Sequence, residues 1–513
     1  MEKTRKFGSA LKNIRIEQTR KLSFTVGLIA FVSCVFGVCL KQQSDPDIWF
    51  HLACGEEITK LHSVNIGAFG SWYAQAQGYS DFLHEWLFEV LIYRAYQAFG
   101  ACALIGYTLL MGCLLVGLIL KVFWPRLKED PARIGVYLVL LIFSLAPFYS
   151  ARPQLIQYVM FTFAYMMTTG LIGREWSFKR QCITWGILSV LWANLHGGSW
   201  ILLLFFMAFM FLQAAPLPDI GRLRFGHNGD KAYAKQILIL TAVVTGAGMI
   251  NPHGCQLAVH TFHYMFTDSG TQYISEWQPM EFNNQKGYIL LVMLFAAVVQ
   301  MIGSDENIDF IDCEIMTSFL IETLLHVRNY PLAILSIVMW LMRRKPFVWV
   351  RDSRELQMFI LPGILCGACL YGEYQGLTSL SKIIQNPVDQ DSIISAEVID
   401  AIKSSRCKRL YNTYHLGDYL VFNGIDTFVD GRAQDMYTST DVHDSVYVGR
   451  GGKEADGLVK KYKFDGFLIA NDVSYYYNLE KGDYTKAAGD ENVSFWVPTE
   501  PNTGGDTAYS AVR

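Results

Sequence analysis

No feature of this chain constrains its fold more than its opening, a basic flank followed by an apolar run of nearly 20 residues. Lys3, Arg5, Lys6, Lys12, Arg15, Arg20 and Lys21 stand against only Glu2 and Glu17, and the apolar stretch then continues to Leu40. A cleaved signal peptide has a shorter apolar region, so this run predicts a membrane-spanning helix whose basic flank stays in the cytoplasm. Apolar segments recur at roughly 101–120, 134–149, 155–173, 183–196, 199–215, 236–250, 288–303, 311–327, 331–342 and 356–374. With the first they make about eleven spans, several of them short, as spans buried among other helices can be.

Alternating the sides of the bilayer tests this pattern. Arg126, Lys128 and Arg133; Arg174, Lys179 and Arg180; Arg222, Arg224, Lys231 and Lys235; and Arg343, Arg344, Lys345, Arg351 and Arg354 all fall on the cytoplasmic side. The opposite loops hold few basic residues: Lys60, Arg94, Arg152, Lys286 and Arg328. That asymmetry orients a multi-pass protein in the cytoplasmic (inner) membrane with its N-terminus inside. The acidic loop from Asp305 to Asp312, on the cytoplasmic side, departs from the pattern.

An odd number of crossings leaves the last part of the chain outside. From residue 375 onward 20 acidic residues face 14 basic ones, so an acidic, water-compatible segment follows the apolar part. The expected organisation is an α-helical polytopic domain over 1–374, with a first outer loop at 41–100, and a small extracytoplasmic α/β domain over 375–513. In that tail K-R-L-Y-N, G-D-Y-L-V-F and D-T-F-V-D read as short strands, E-A-D-G-L-V-K-K-Y as a helix and F-D-G-F-L-I-A as another strand. With 43 basic and 46 acidic residues overall there is no positive field to gather nucleic acid, and that partner class is excluded. Most of the eleven cysteines, including Cys34, Cys39, Cys102, Cys113, Cys366 and Cys369, lie in apolar runs and read as small buried hydrophobes. Cys54 and Cys407 could form a bridge.

Ionisable groups at the outer mouth of apolar helices are costly there, which makes them the place to seek function. The first outer loop begins S-D-P-D-I-W-F-H and continues to L-H-E-W-L, placing Asp45, Asp47, His51, His84 and Glu85 near the membrane surface, with Trp49 and Phe50 suited to the interface. Half-apolar surroundings raise a carboxylate's tendency to take a proton. The plainer reading makes Asp47 a helix cap and His51 a packing residue. His51, His84 and Glu85 could also complete a divalent metal site, although their spacing is not diagnostic. Further outer-end groups are Arg152 and Gln154 in A-R-P-Q, Asn194 and His196 in A-N-L-H-G-G, the N-P-H-G turn at 251–254, Glu276 in S-E-W-Q, and Arg328 and Asn329 in H-V-R-N-Y-P. Each alone could be a cap, a turn or a snorkelling side chain, but the topology puts all of them at one face.

D-P-D-I-W-F-H-L-x-x-G-E, H-E-W-L, A-R-P-Q, W-A-N-L-H-G-G, N-P-H-G, E-W, R-N-x-P and, in the tail, G-D-Y-L-V-F-N-G with F-V-D-G-R occur in order from Asp45 to about Trp496. In this they resemble a family of bacterial polytopic membrane proteins similar to the glycosyltransferase C superfamily. The resemblance implies an enzyme taking a sugar from a polyprenyl-phosphate carrier, with an acidic residue of the first outer loop as base or metal ligand. On this chain the matching residues are Asp47, Asp45 and, second, Glu85. Pro46 separates the two aspartates where the superfamily often has an adjacent pair.

The chemistry suits that assignment. A base must deprotonate the acceptor hydroxyl, and cations must stabilise the departing phosphate. Asp47 can do the first; Arg152 and Arg328 can do the second by fork-like contacts. His51, His84, Gln154, Asn194, His196, Glu276 and Asn329 would contact sugar or acceptor, the acceptor being a glycan, lipid or protein. Asp430, Gly431 and Arg432 read as a salt-bridged turn, and Tyr475, Tyr476 and Tyr477 as sheet packing. A transporter of lipid-linked glycan would instead place charges near the bilayer midplane and often show inverted repeats, and a non-catalytic assembly protein would need no carboxylates beside arginines.

Overall fold

Residues 2–266, 271–346, 359–389, 393–482 and 484–499 are described by the computed structural model. Arg351 and Arg354 of the expected cytoplasmic set lie outside them, as does the end of the tail. Contacts divide the chain into two units: Met1–Gln43, Ala95–Met265 and Ile274–Val388 in one, and Ser44–Arg94, Phe266–Tyr273 and Asp389–Arg513 in the other. The first-loop residues 44–94 therefore pack with the tail, where the sequence had grouped them with the apolar helices.

In the first unit each apolar segment of the sequence falls largely on a helix among the described residues. The first is continuous from Glu2 to Cys39, and the last runs from Leu361 to Gln385. Among the described residues three helical stretches, Cys102–Glu129, Pro131–Phe148 and Gln285–Gly303, are long and apolar enough to cross a membrane, and Phe24–Cys39 and Gly197–Leu212 are shorter apolar ones. The Tyr330–Arg343 helix lies at the centre, with every residue from Tyr330 to Met342 buried. Ile29, Val32, Leu110, Leu114, Ile183, Ile187, Phe295 and Ile302 instead point outward. So large an exposed apolar surface is a membrane surface, not one that water tolerates. Cys102, Cys113 and Cys366, expected to be buried, are exposed among these residues; a small apolar side chain packs as well against lipid as against protein.

The acidic loop that broke the charge pattern is neutralised locally. Asp312, fully buried, accepts from Arg343 Nη1 at 2.6 Å, Arg344 Nη2 at 3.2 Å and the Tyr165 hydroxyl at 3.2 Å. Arg343 Nη2 also reaches Asp309 at 3.4 Å, and the Lys345 N–H donates to Glu306 at 3.0 Å. Two short strands, β1 (Leu223–Arg224) and β2 (Ile308–Asp309), pair in parallel beside this network.

The second unit contains a four-stranded sheet of β3 (Leu410–Asn412), β4 (Gly466–Ala470), β5 (Tyr484–Gly489) and β6 (Val493–Pro498), in the order β3-β4-β6-β5. β3 is parallel to β4, and the other pairings are antiparallel. Val398, Ile399 and Ile402 of the Ala396–Ser404 helix pack on Leu468 and Phe495 of the sheet. The strands expected at K-R-L-Y-N and F-D-G-F-L-I-A and the helix at 452–462 are present. G-D-Y-L-V-F is instead a helix, Gly417–Phe422, burying Gly417, Leu420 and Val421 at helical spacing. D-T-F-V-D bends at Phe428 and Val429 and belongs to neither named sheet, Thr427 making one isolated parallel bridge to Ser71. Asn412 takes its backbone, accepting from Phe428 N–H at 2.9 Å and donating to the Val429 carbonyl at 2.8 Å, while Thr427 N–H donates to the Gly70 carbonyl at 2.9 Å.

Aromatic contacts bind the first-loop residues to the tail. Trp49, expected at a membrane interface, is buried against Tyr419 and Phe422 at 5.1 and 4.9 Å between ring centres. Trp72 stacks on Phe428 at 5.7 Å, and the Tyr73 hydroxyl donates to Asp441 at 2.6 Å. Tyr475 packs on Phe467 and Tyr476 on Trp496, so these two rings serve the sheet. Cys54 and Cys407 are both free thiols, and Cys407 donates to Asp465 at 2.8 Å.

Candidate active site

In the first unit, the A-R-P-Q turn follows a short 3-10 segment, Ala146–Phe148, and leads into the Gln154–Thr168 helix. The Tyr107 hydroxyl holds the Arg152 carbonyl at 2.9 Å. Residues 275–280 lie along residues 324–329: Met280 N–H donates to the Leu324 carbonyl at 3.1 Å, and Val327 N–H to that of Gln278 at 2.9 Å. His326 Nδ1 is 3.0 Å from the Trp277 carbonyl. This pairing sets Glu276 between two guanidiniums, with Arg152 Nη1 at 2.5 Å from Oε1 and Arg328 Nε at 3.9 Å from Oε2.

Arg328 also lies over the Trp277 ring at 5.1 Å, and Lys286 over Phe148 at the same distance. Burial would raise the Glu276 carboxyl, but the charges of Arg152 and then Arg328 outweigh it and hold the group below its ordinary value. Arg152 and Arg328 thus flank one carboxylate, and Lys286 adds its charge to their field. A guanidinium flanked in this way is preorganised to grip phosphate oxygens. Gln154, two residues past Arg152, has its side-chain oxygen buried with no hydrogen-bond partner among the described residues.

The other residues expected at outer helix ends are built into the turns of this unit. Asn194 donates to the carbonyls of Val190 and Ile250 at 2.7 and 2.8 Å, tying the ends of two helices together. His196, buried, follows the first of them, and its carbonyl accepts from the Ser199 hydroxyl at 3.1 Å. Asn251 closes the N-P-H-G turn by donating to the carbonyls of Gly248 and Gly254. Asn329 ends a 3-10 turn at the start of the central helix.

In the second unit Asp47 is the first residue of the Asp47–Leu61 helix and does not cap it. Pro46 is its cap residue and brings no capping side chain, while the Asp45 carboxylate accepts from Asp47 N–H at 3.2 Å. Both aspartates are half-buried. Asp418, buried, accepts from Gly431 N–H at 2.7 Å; burial first and then the charge of Asp47 push its carboxyl well above the usual range.

One turn after Asp47, His51 projects from the same helix face. It lies between two carboxylates of the Trp86–Phe99 helix and its approach: Nε2 is 3.6 Å from Glu85 Oε2, and Nδ1 is 3.3 Å from Glu89 Oε1. The helices can come this close because of Gly55, where a Cβ would stand 2.1 Å from the Glu89 carbonyl oxygen. His84 Nε2 is 3.7 Å from Glu85, and its Nδ1 is 3.4 Å from Asp435. Burial disfavours the charged ring, but Asp435 and Glu85 outweigh it and raise the pKa of His84.

Deeper still, Arg432 is buried, with Nε and Nη2 on Asp430 at 2.9 and 2.7 Å and Nη1 on Asp81 at 3.2 Å. Burial raises the Asp81 carboxyl to about 6 against the pull of Arg432, whereas for Asp430 the arginine prevails and its carboxyl lies below the usual value. Sequence reasoning passed over Asp81 and Glu89, counted Lys286 only among the outer-loop basic residues, and favoured a salt-bridged turn over acceptor binding for Arg432. The four-residue step from Glu85 to Glu89 was the available signal. Among the described residues no group of three or more His, Cys, Asp or Glu side chains is arranged to hold a metal ion.

No protein-family pattern and no curated protein matches the chain. Among solved structures it is similar to the oligosaccharyltransferase of Archaeoglobus fulgidus in the apo form, with a TM-score of 0.49 and 11% identity, covering 87% of this chain and 69% of that one. It is also similar to ArnT from Cupriavidus metallidurans bound to undecaprenyl phosphate, with a TM-score of 0.48 and 11% identity over 94% of this chain and 99% of that one.

Proposed function

We propose that the protein is an integral membrane glycosyltransferase that takes a sugar from a polyprenyl-phosphate-linked donor and passes it to a glycan, lipid or protein acceptor on the outer face of the cytoplasmic membrane. The observation that carries this reading is the Arg152–Glu276–Arg328 group with Lys286, an excess of positive charge at the ends of apolar helices, where an anionic lipid headgroup would lie. In this reading about eleven spans hold the first unit, and the C-terminal domain is outside. Arg152 and Arg328 receive the departing phosphate. Asp47 takes the acceptor proton, and a single displacement inverts the anomeric carbon.

Purified full chain given labelled polyprenyl-phosphate sugars should transfer label to an acceptor. Asp47→Asn should lower that transfer by about a hundredfold or more with expression unchanged. Arg152→Lys, which keeps the charge but loses the fork, should weaken binding of the donor phosphate. Full activity in Asp47→Asn removes that residue from the mechanism, and loss in Asp45→Asn instead moves the role two residues upstream.

A further inference from the structure

Two helices of the first unit, Phe178–Leu195 and Lys231–Gly248, lie side by side and run in the same direction. The Ser189 hydroxyl donates to the Val244 carbonyl at 2.7 Å, Asn194 donates to the Ile250 carbonyl at 2.8 Å, and a Cβ at Gly186 would meet Val243 at 3.5 Å. An open cavity of about 500 Å³ lies between them. Cys182 and Gly186 line one side and Val243 and Ala247 the other, while Ile187 and Leu191, both exposed, form the rim. The hollow exists because Gly186 and Ala247 are small where the rim residues are large. In a bilayer such an apolar opening faces lipid.

Length and charge select its occupant. From Cys182 to Leu191 the helix rises about 14 Å, close to half of the roughly 30 Å hydrocarbon layer, which is the depth of one leaflet and the reach of one acyl chain. Lys179 and Arg180, exposed, stand within one turn before Cys182. The register set by the Ser189–Val244 and Asn194–Ile250 contacts, carried back along both helices, brings exposed Lys235 to the same level. Among the described residues none of these three cations pairs with a carboxylate. Arg180 instead lies over the Trp176 ring at 4.1 Å, an arrangement that suits a membrane interface.

The acidic residues close by do not cancel them. Asp230 is engaged as the cap of the second helix, accepting from the Ala232 and Tyr233 N–H groups at 2.9 and 3.0 Å, and Glu175 has Arg174 beside it in the chain. Both helices also begin at this level, so the positive ends of their dipoles add to the cations. An anionic phosphodiester complements that field, where a zwitterionic headgroup brings no net charge to it.

We propose that this groove binds an anionic phospholipid of the phosphatidylglycerol type, with one acyl chain between the two helices and the phosphodiester held by Lys179, Arg180 and Lys235. In the orientation proposed above the lipid belongs to the cytoplasmic leaflet, the side opposite Arg152 and Arg328. The site goes beyond the transferase reading, and the lipid binds whether or not sugar is transferred.

The test uses the full chain, stripped of lipid in detergent and titrated with phosphatidylglycerol or with phosphatidylcholine of the same acyl chains, bound lipid being counted by native mass spectrometry. Wild type should hold one phosphatidylglycerol about tenfold more tightly than phosphatidylcholine. Replacing the three cations together, by Lys179→Gln, Arg180→Gln and Lys235→Gln, changes only exposed positions and should erase that preference. Gly186→Leu fills the groove and leaves the cations, and it should weaken binding of phosphatidylglycerol about fivefold or more. Should that variant fail to fold, Cys182→Phe fills the cationic end of the same groove and makes the same measurement. Equal binding of the two lipids by wild type overturns the proposal. So does phosphatidylglycerol held undiminished by the groove-filling variant, which would mean attraction to surface charge alone. Displacement of phosphatidylglycerol by an equal concentration of a polyprenyl phosphate would give the groove to that chain and overturn it as well.

Discussion

Replacing Arg432 by methionine should unsettle the second unit more than any exposed substitution, because it leaves Asp430 and Asp81 buried without their shared guanidinium. Removing one partner of a buried pair costs about 3–5 kcal/mol. Asp430 would keep the hydroxyls of Tyr437 and Thr427 and a backbone N–H, and methionine refills most of the arginine stem, so the lower end applies, about 3 kcal/mol. That is on the order of a hundredfold in the unfolded population. Urea titration of the full chain in detergent, read by protease susceptibility within 389–499 and by tryptophan fluorescence, would measure it, since Trp72 stacks on Phe428 in the same core.

The pH dependence supplies a sign. In wild type, Asp430 lies below its ordinary value, so its contribution is present above the unfolded pKa and is lost as pH falls through the folded one. Without Arg432 both carboxyls would rise above their unfolded values, and an acid raised by folding stabilises the fold as pH falls. The deficit of Arg432→Met should therefore shrink between about pH 8 and about pH 5. Adding Asp430→Asn should recover part of it. A deficit under about 1 kcal/mol, or one that grows on acidification, would refute the argument.

Gly55→Ala should push the Asp47–Leu61 helix off the Glu89 carbonyl. Destabilisation of about 1–3 kcal/mol, together with a changed His51 resonance, is expected, and an unaltered spectrum would show that the close approach is not needed. Glu276→Gln should free both arginines for phosphate, tightening binding of a polyprenyl-phosphate analogue by about fivefold at most at low salt, while looser positioning of Arg152 lowers turnover; calorimetry showing weaker binding would mean that Glu276 chiefly holds the arginines in place.

Much of the helical part was legible in the chain because each apolar run is long and its meaning in a bilayer is local. The runs at 101–120 and 288–303 fall on helices. In the tail, periodicity identified β3 and β4 but misread G-D-Y-L-V-F, since a run of six apolar and turn residues satisfies either period until packing chooses. The carboxylates and arginines at helix ends could be found one at a time from their cost in apolar surroundings. Which of them meet could not.

Arg152, Glu276 and Arg328 are separated by more than a hundred and by about fifty residues along the chain, and two backbone hydrogen bonds between loops bring the last two together. Asp81 and Arg432 are joined from opposite ends of the sequence. By itself the sequence determined which segments avoid water and which chemistry the polar residues could offer, because hydropathy and side-chain type are properties of single residues. Only the tertiary structure decided that Trp49 is buried under Tyr419, that Asp45 rather than Asp47 accepts at the helix start, and that His51 stands between two carboxyls, because burial, proton location and charge balance depend on neighbours that folding supplies.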